Sequence, residues 1–164
     1  MAGTVTVRLA RRDEHRLLEQ LQKEASLALD EYRDRLLAHP EVLGIPEEFI
    51  GEGRVLVAES AGRLSGYAAW LPMSARVAEL DGLFVRPECW RQGIGRRLIQ
   101  AVAEAAAEDF YDALFVVANP TAKTFYLRCG FLRTGETKTQ FGTAINMSLA
   151  LRAPGGRADA GAGG

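Results

Sequence analysis

The sequence predicts a mixed α/β fold in one domain, with a βαβ unit set among antiparallel strands. Three observations predict it. The apolar stretch Val77 to Val85 ends at Pro87 and passes through a glycine-bearing loop into a segment whose apolar residues recur at helical spacing from Ile94 onward. A second, continuous apolar run, Ala113 to Ala118, follows that helix and reads as a strand buried on both faces. Strand pairs separated by turn residues stand before and after this unit.

In chain order, Thr4 to Leu9 sets Val5, Val7 and Leu9 against polar neighbours, a first strand with one buried face. Leu17, Leu18, Leu21 and Ala25, then Leu29, Tyr32, Leu36 and Leu37, follow helical spacing, so one or two helices run from about Asp13 to His39-Pro40. His39 at that end has no orienting partner in the sequence and reads as a solvated helix end. Pro40, Gly44 and Pro46 mark a loop. Arg54 to Ser60 and Leu64 to Met73, joined by Ala61-Gly62-Arg63, form a hairpin. In the next strand, Val77, Glu79, Asp81, Leu83 and Val85 share one face, which places two carboxylates beside buried aliphatics.

After Gly93, Ile94, Leu98, Ile99, Val102, Ala103 and Ala106 form the apolar stripe of a helix, with Arg97, Gln100, Glu104 and Glu108 opposite. A right-handed crossover then sets Ala113–Ala118 parallel to Val77–Val85, with the helix start at their carboxyl ends. Asn119 suits an N-cap, Pro120 the first helical position and Gly130 the stop of a short helix. Phe131 to Gln140 and Thr143 to Leu151 flank Phe141-Gly142 as a closing antiparallel pair. The expected domain spans residues 1–152; residues 153–164, rich in Gly and Ala, are expected to be disordered.

Chemistry concentrates at the loop Arg91-Gln92-Gly93-Ile94-Gly95-Arg96. Glycines let the backbone approach a ligand, and the N–H groups that open a helix lack intrahelical acceptors and attract anions. Arginines in a first helical turn oppose the helix dipole, so Arg91, Arg96 and Arg97 call for an anion there. The dinucleotide fingerprint fails because Leu98 occupies the place of its third small residue, and no Gly-Lys-Ser/Thr of a P-loop is present.

The chain has 164 residues, 48% hydrophobic and 25% charged, with net charge −1 and pI about 6.2. That is ample for one core, and it supports neither nucleic acid nor an anionic membrane as partner. Cys89 and Cys129 form no Cys-x-x-Cys unit, and His15 and His39 stand apart, so no metal site and no disulfide are expected. The N-terminus lacks a continuous apolar leader, and no run is long enough to span a bilayer, so a cytoplasmic protein is expected.

Leu83-Phe84-Val85 followed by the Gly93-x-Gly95 loop resembles the central motif of the GCN5-related N-acetyltransferases, with Trp90 where that pattern has Gln or Arg. Asn119-x-x-Ala122-x-x-x-Tyr126-x-x-x-Gly130-Phe131 resembles the same family's second signature. The resemblance implies an α/β fold of α+β layering: a central mixed, mostly antiparallel sheet of six to seven strands, a βαβ acetyl-CoA-binding core and helices on both faces. It implies acetyl-CoA as co-substrate, its diphosphate on the backbone of Gln92 to Arg96 beside Arg91, and its pantetheine arm on the backbone of Leu83, Phe84 and Val85. It further implies Asn119 at the cofactor arm, Tyr126 as acid facing the thioester sulfur, and the Val85 N–H on the thioester oxygen. Glu79, six residues before Val85, is the implied base, with Asp81 the alternative. Asn119 has a second reading as a helix cap only. The expected reaction is direct acetyl transfer to a primary amine of a small molecule or peptide, in a homodimer or monomer. The alternative is an acyl-CoA sensor or partner-binding module without turnover. Acceptor choice is expected to lie in residues 12–52, where Glu24, Asp30, Glu31, Tyr32 and Asp34 are available for a cation.

Overall fold

In the computed structural model, residues 4–29, 33–34, 37–38, 44–140 and 142–151 are described. Strands β1 (Val5–Leu9), β2 (Val55–Ser60), β3 (Arg63–Pro72), β4 (Val77–Val85), β5 (Ala113–Ala118), β6 (Leu132–Thr139) and β7 (Gly142–Ala150) form one seven-stranded sheet in the order β1-β2-β3-β4-β5-β7-β6. The helices are α1 (His15–Leu27), α2 (Glu47–Gly51), α3 (Ile94–Glu108) and α4 (Lys123–Arg128). Two compact units divide the chain: residues 1–69 with 82–99, and residues 70–81 with 100–164. The divisions fall inside β3, β4 and α3.

In the first unit, β1, β2 and β3 pair antiparallel, from Val5↔Ser60 to Leu9↔Leu56 and from Val55↔Ala69 to Ser60↔Arg63. Ala61 and Gly62, both at positive φ, turn the β2–β3 hairpin in the sense that matches the strands' own twist. Leu18 and Leu21 of α1 pack with Ile45, Ile50, Val55, Val57, Leu64, Tyr67 and Ala69, and Phe84 leans against this cluster with its ring 5.3 Å from that of Tyr67. Gly66 has a steric reason to be glycine: a Cβ there comes within 2.8 Å of the Phe84 carbonyl oxygen. Close approach of β3 to the end of β4 depends on it.

Several expectations need correction. Leu9 is exposed, because β1 is an edge strand and Leu9 is its last residue. Leu17 is also exposed: Leu18, Leu21 and Ala25 set the buried stripe, and Leu17 lies a turn-quarter away from it. Leu29 and Leu37 are exposed too, and the helix end expected near His39-Pro40 lies outside the described residues. Helix α2, read from sequence only as part of a loop, starts after Pro46 with Glu47 and Glu48 in its first turn.

In the second unit, β4 and β5 run parallel, as expected, but their register covers only Val77↔Ala113 to Glu79↔Phe115. Ala113–Ala118 is not buried on both faces: Leu114, Val116 and Ala118 are buried, whereas Val117 is exposed past the last β4 pair. The closing pair forms, with β7 inserted between β5 and β6 and antiparallel to both. Phe131 and Met147 are fully buried in this unit, and Trp70 packs edge-on against Tyr111. Phe141 and residues 153–164, the expected tail, lie outside the described residues.

Candidate active site

The first unit carries the end of β4, the glycine loop and the start of α3. Strand β4 delivers half-buried Leu83, Phe84 and Val85, and α3 starts at Ile94, whose side chain is buried along with Leu98 and Ile99. That burial anchors the helix start from below and leaves Arg91, Gln92, Gly93 and Arg96 exposed above it. Gly93 has φ +80, and a Cβ added there meets no protein atom within 4 Å. Glycine therefore supplies the left-handed turn and open room over the helix start. The Gly93 carbonyl accepts the Arg97 N–H at 3.1 Å, so the N–H groups that precede it in α3 are those without an intrahelical acceptor. These features fit a diphosphate.

Arg91 itself has φ +65, a conformation that a side-chain-bearing residue adopts at a cost of about 1 kcal/mol or more. Sequence reasoning placed Arg91 in the loop without that strain. Arg91, Arg96 and Arg97 are all exposed, and Arg97 turns elsewhere, its Nη2 donating to the Val5 carbonyl at 3.0 Å.

Arg86 is the residue that sequence reasoning missed. It is 9% exposed, and its Nε donates to the Leu64 carbonyl at 2.7 Å, its backbone N–H to the Ser65 carbonyl at 2.8 Å and its Nη1 to Glu24 Oε1 at 2.8 Å. One side chain thus ties the end of β4 to β3 and to α1. The available signal was a cation directly after an apolar strand, where burial demands partners. Glu24, expected to be available to a cationic acceptor, is spent on this bond. The Trp90 indole N–H donates to the Val85 carbonyl at 2.7 Å.

The second unit carries Glu79, Asp81, Asn119 and Tyr126. On β4, Ala78 and Leu80 are buried, while Glu79, half-buried, and Asp81, more exposed, lie on the opposite face. Loss of solvent raises the Glu79 carboxyl above its ordinary range, with Asp81 adding like-charge repulsion; loss of solvent raises Asp81 as well. The sign has a stability consequence. A carboxyl raised in the folded state contributes its stabilisation below its unfolded pKa and loses it as pH rises through the folded value. Glu79→Gln therefore raises the melting temperature near neutral pH and gives no gain below about pH 4; a uniform shift at every pH contradicts this.

Tyr126 on α4 is 8% exposed, packed edge-on against Phe125 and Phe131 at 5.1 and 5.3 Å. Burial pushes its hydroxyl well above the ordinary tyrosine value, and Cys129 adds to the shift. Asn119 caps the turn Pro120–Ala122 that precedes α4, its Oδ1 accepting the Thr121 N–H at 3.0 Å. Gly130, at φ +99, ends α4. Among the described residues, Cys89 and Cys129 are not joined in a disulfide, no group of three or more His, Cys, Asp or Glu is placed to hold a metal, and no helix is long and apolar enough to cross a membrane.

Residues 15–131 match the model of the acetyltransferase (GNAT) family. No curated protein matches the chain by sequence. Among solved structures, the fold is similar to a ribosomal-protein-alanine N-acetyltransferase from Brucella melitensis, at 24% identity and TM-score 0.68 over 89% of this chain and 99% of that one. It is similar to PaiA N-acetyltransferase from Thermoplasma acidophilum in complex with coenzyme A, at 16% identity and TM-score 0.68 over 90% and 99% of the two chains. It is also similar to a chimera of a spermidine N-acetyltransferase from Vibrio cholerae and hSSAT, at 21% identity and TM-score 0.66 over 89% and 95%.

Proposed function

This chain belongs to the acetyltransferase (GNAT) family, and from that premise we propose that it transfers the acetyl group of acetyl-CoA directly to a primary amine of a small molecule or peptide. The observation that carries the reading is the loop of Gly93: left-handed glycine, open room and helix N–H groups, next to a strand whose residues Leu83 to Val85 lie past the last registered β5 pair. The N–H groups of Gln92 to Arg96, with the Arg91 and Arg96 guanidiniums, hold the diphosphate. The backbone of Leu83, Phe84 and Val85 takes the extended pantetheine arm as a strand takes a peptide. When bound, acetyl-CoA supplies an activated thioester.

Amine attack requires a neutral nitrogen, a partner for the thioester oxygen and a donor to the departing sulfur. Glu79 accepts the amine proton directly or through water, and its raised pKa brings it closer to the working pH than an ordinary carboxylate. The Val85 N–H partners the oxygen. Tyr126 serves as acid. Its phenol remains protonated at any working pH and donates to the sulfur as charge develops there. Asn119 keeps its cap and assists the cofactor arm. Asp81 is the reserve base, one pleat along the same face.

The experiment is a melting and turnover comparison of wild type with Tyr126→Phe. Acetyl-CoA raises the melting temperature of both, whereas turnover falls at least 10-fold in the variant. Equal turnover returns Tyr126 to the core of its unit. A wild type whose melting temperature ignores acetyl-CoA contradicts the reading itself.

A further inference from the structure

Trp90 is 41% exposed, and its Nε1 donates to the Val85 carbonyl at 2.7 Å. An indole N–H has no accepting role, so this bond fixes the orientation of the ring. It also closes a short circuit of backbone, within which the Cys89 N–H donates to the Arg86 carbonyl at 2.8 Å and the Trp90 N–H to the Pro87 carbonyl at 3.2 Å. The next residue is Arg91 at φ +65, followed two positions on by Gly93 at φ +80. A strained backbone of that kind persists only where its surroundings determine it. Arg86 holds the strand side of the turn through the Leu64 and Ser65 carbonyls and Glu24. Beyond Arg86, the side-chain bonds that hold the turn among the described residues include that of Trp90, that of Glu88, whose Oε2 accepts from Arg63 Nη2 at 3.0 Å, and that of Gln92, whose Nε2 donates to the Glu88 carbonyl at a long 3.4 Å.

We propose that Trp90 is a positioning residue for cofactor binding: by holding the Val85 carbonyl it keeps Arg91 in its left-handed conformation and so presents the N–H groups of the loop to the diphosphate. This rests on the acetyl-CoA reading above and deepens it, because it gives a role to the residue that departs from the family's Gln or Arg pattern. The bond also takes up part of the accepting capacity of the last β4 carbonyl.

Trp90→Phe keeps a flat ring and removes the donor. Coenzyme A binding, followed by calorimetry, weakens about 5-fold in Trp90→Phe, the loss of one neutral hydrogen bond. Arg91→Gly supplies the readout that a merely structural tryptophan does not move. Glycine adopts the left-handed turn without help, so Trp90→Phe costs less than about 2-fold in an Arg91→Gly background, a non-additive cycle. An unchanged or tighter constant for Trp90→Phe overturns the proposal, and so does an equal loss in both backgrounds. In each of those outcomes the wild type still binds coenzyme A; a wild type that binds none overturns the acetyl-CoA reading instead.

Discussion

Replacing Gly93 and Gly95 together by valine abolishes the stabilisation that acetyl-CoA gives the wild-type protein. At 100 times its dissociation constant a ligand adds about 2.7 kcal/mol, which in a chain of this length raises the melting temperature by about 5–10 °C. The double variant shows no rise. At Gly93 the reason is twofold: φ +80 is a conformation a β-branched residue avoids, and an added side chain fills the room that the structure leaves open above the helix start. Gly95 lies in the first turn of α3, half-buried, so its substitution crowds the same N–H groups. Circular dichroism of the free variant checks that α3 persists. A folded double variant with wild-type affinity removes the diphosphate from this loop.

Glu79→Gln lowers kcat/KM by about 100-fold near neutral pH, the usual scale for a positioned general base. The deficit shrinks as pH rises, because more of the amine arrives neutral and needs no base. Asp81→Asn is the matched control, since it shares the strand face and has its own raised carboxyl. A deficit in Glu79→Gln that pH does not repair assigns Glu79 to structure. A convergent profile in Asp81→Asn, with Glu79→Gln fully active, moves the base to Asp81. The same substitution stabilises the free protein near neutral pH, so activity and stability move in opposite directions at this position.

Strand β4 and helix α3 were legible because their apolar residues repeat at periods of two and 3.6, and Val77–Val85 and a helix from Ile94 emerge with the bounds read from sequence. The loop between them was legible from its glycines. Helix α2 was not: five residues carry no period, and only Pro46 with the acids after it marks a start. The order β5-β7-β6 was not legible either, because strand neighbours far apart in sequence are chosen by pairing that no local pattern records. The same limit governs charges. Glu24 reads as an exposed helix acid until Arg86, distant in sequence, is seen bonded to it. The left-handed backbone of Arg91 lies beyond sequence reasoning for a different reason, since residue type argues against it.

Amine-dependent release of coenzyme A thiol from acetyl-CoA, followed against a panel of polyamines, amino acids, aminoglycosides and short peptides, tests the central claim most directly. The account predicts that at least one primary amine accelerates thiol release well above the uncatalysed rate, with the acetylated amine recovered in equal amount. Tight binding of acetyl-CoA with no amine-dependent release across the panel contradicts it and identifies the protein as an acyl-CoA-binding module without turnover.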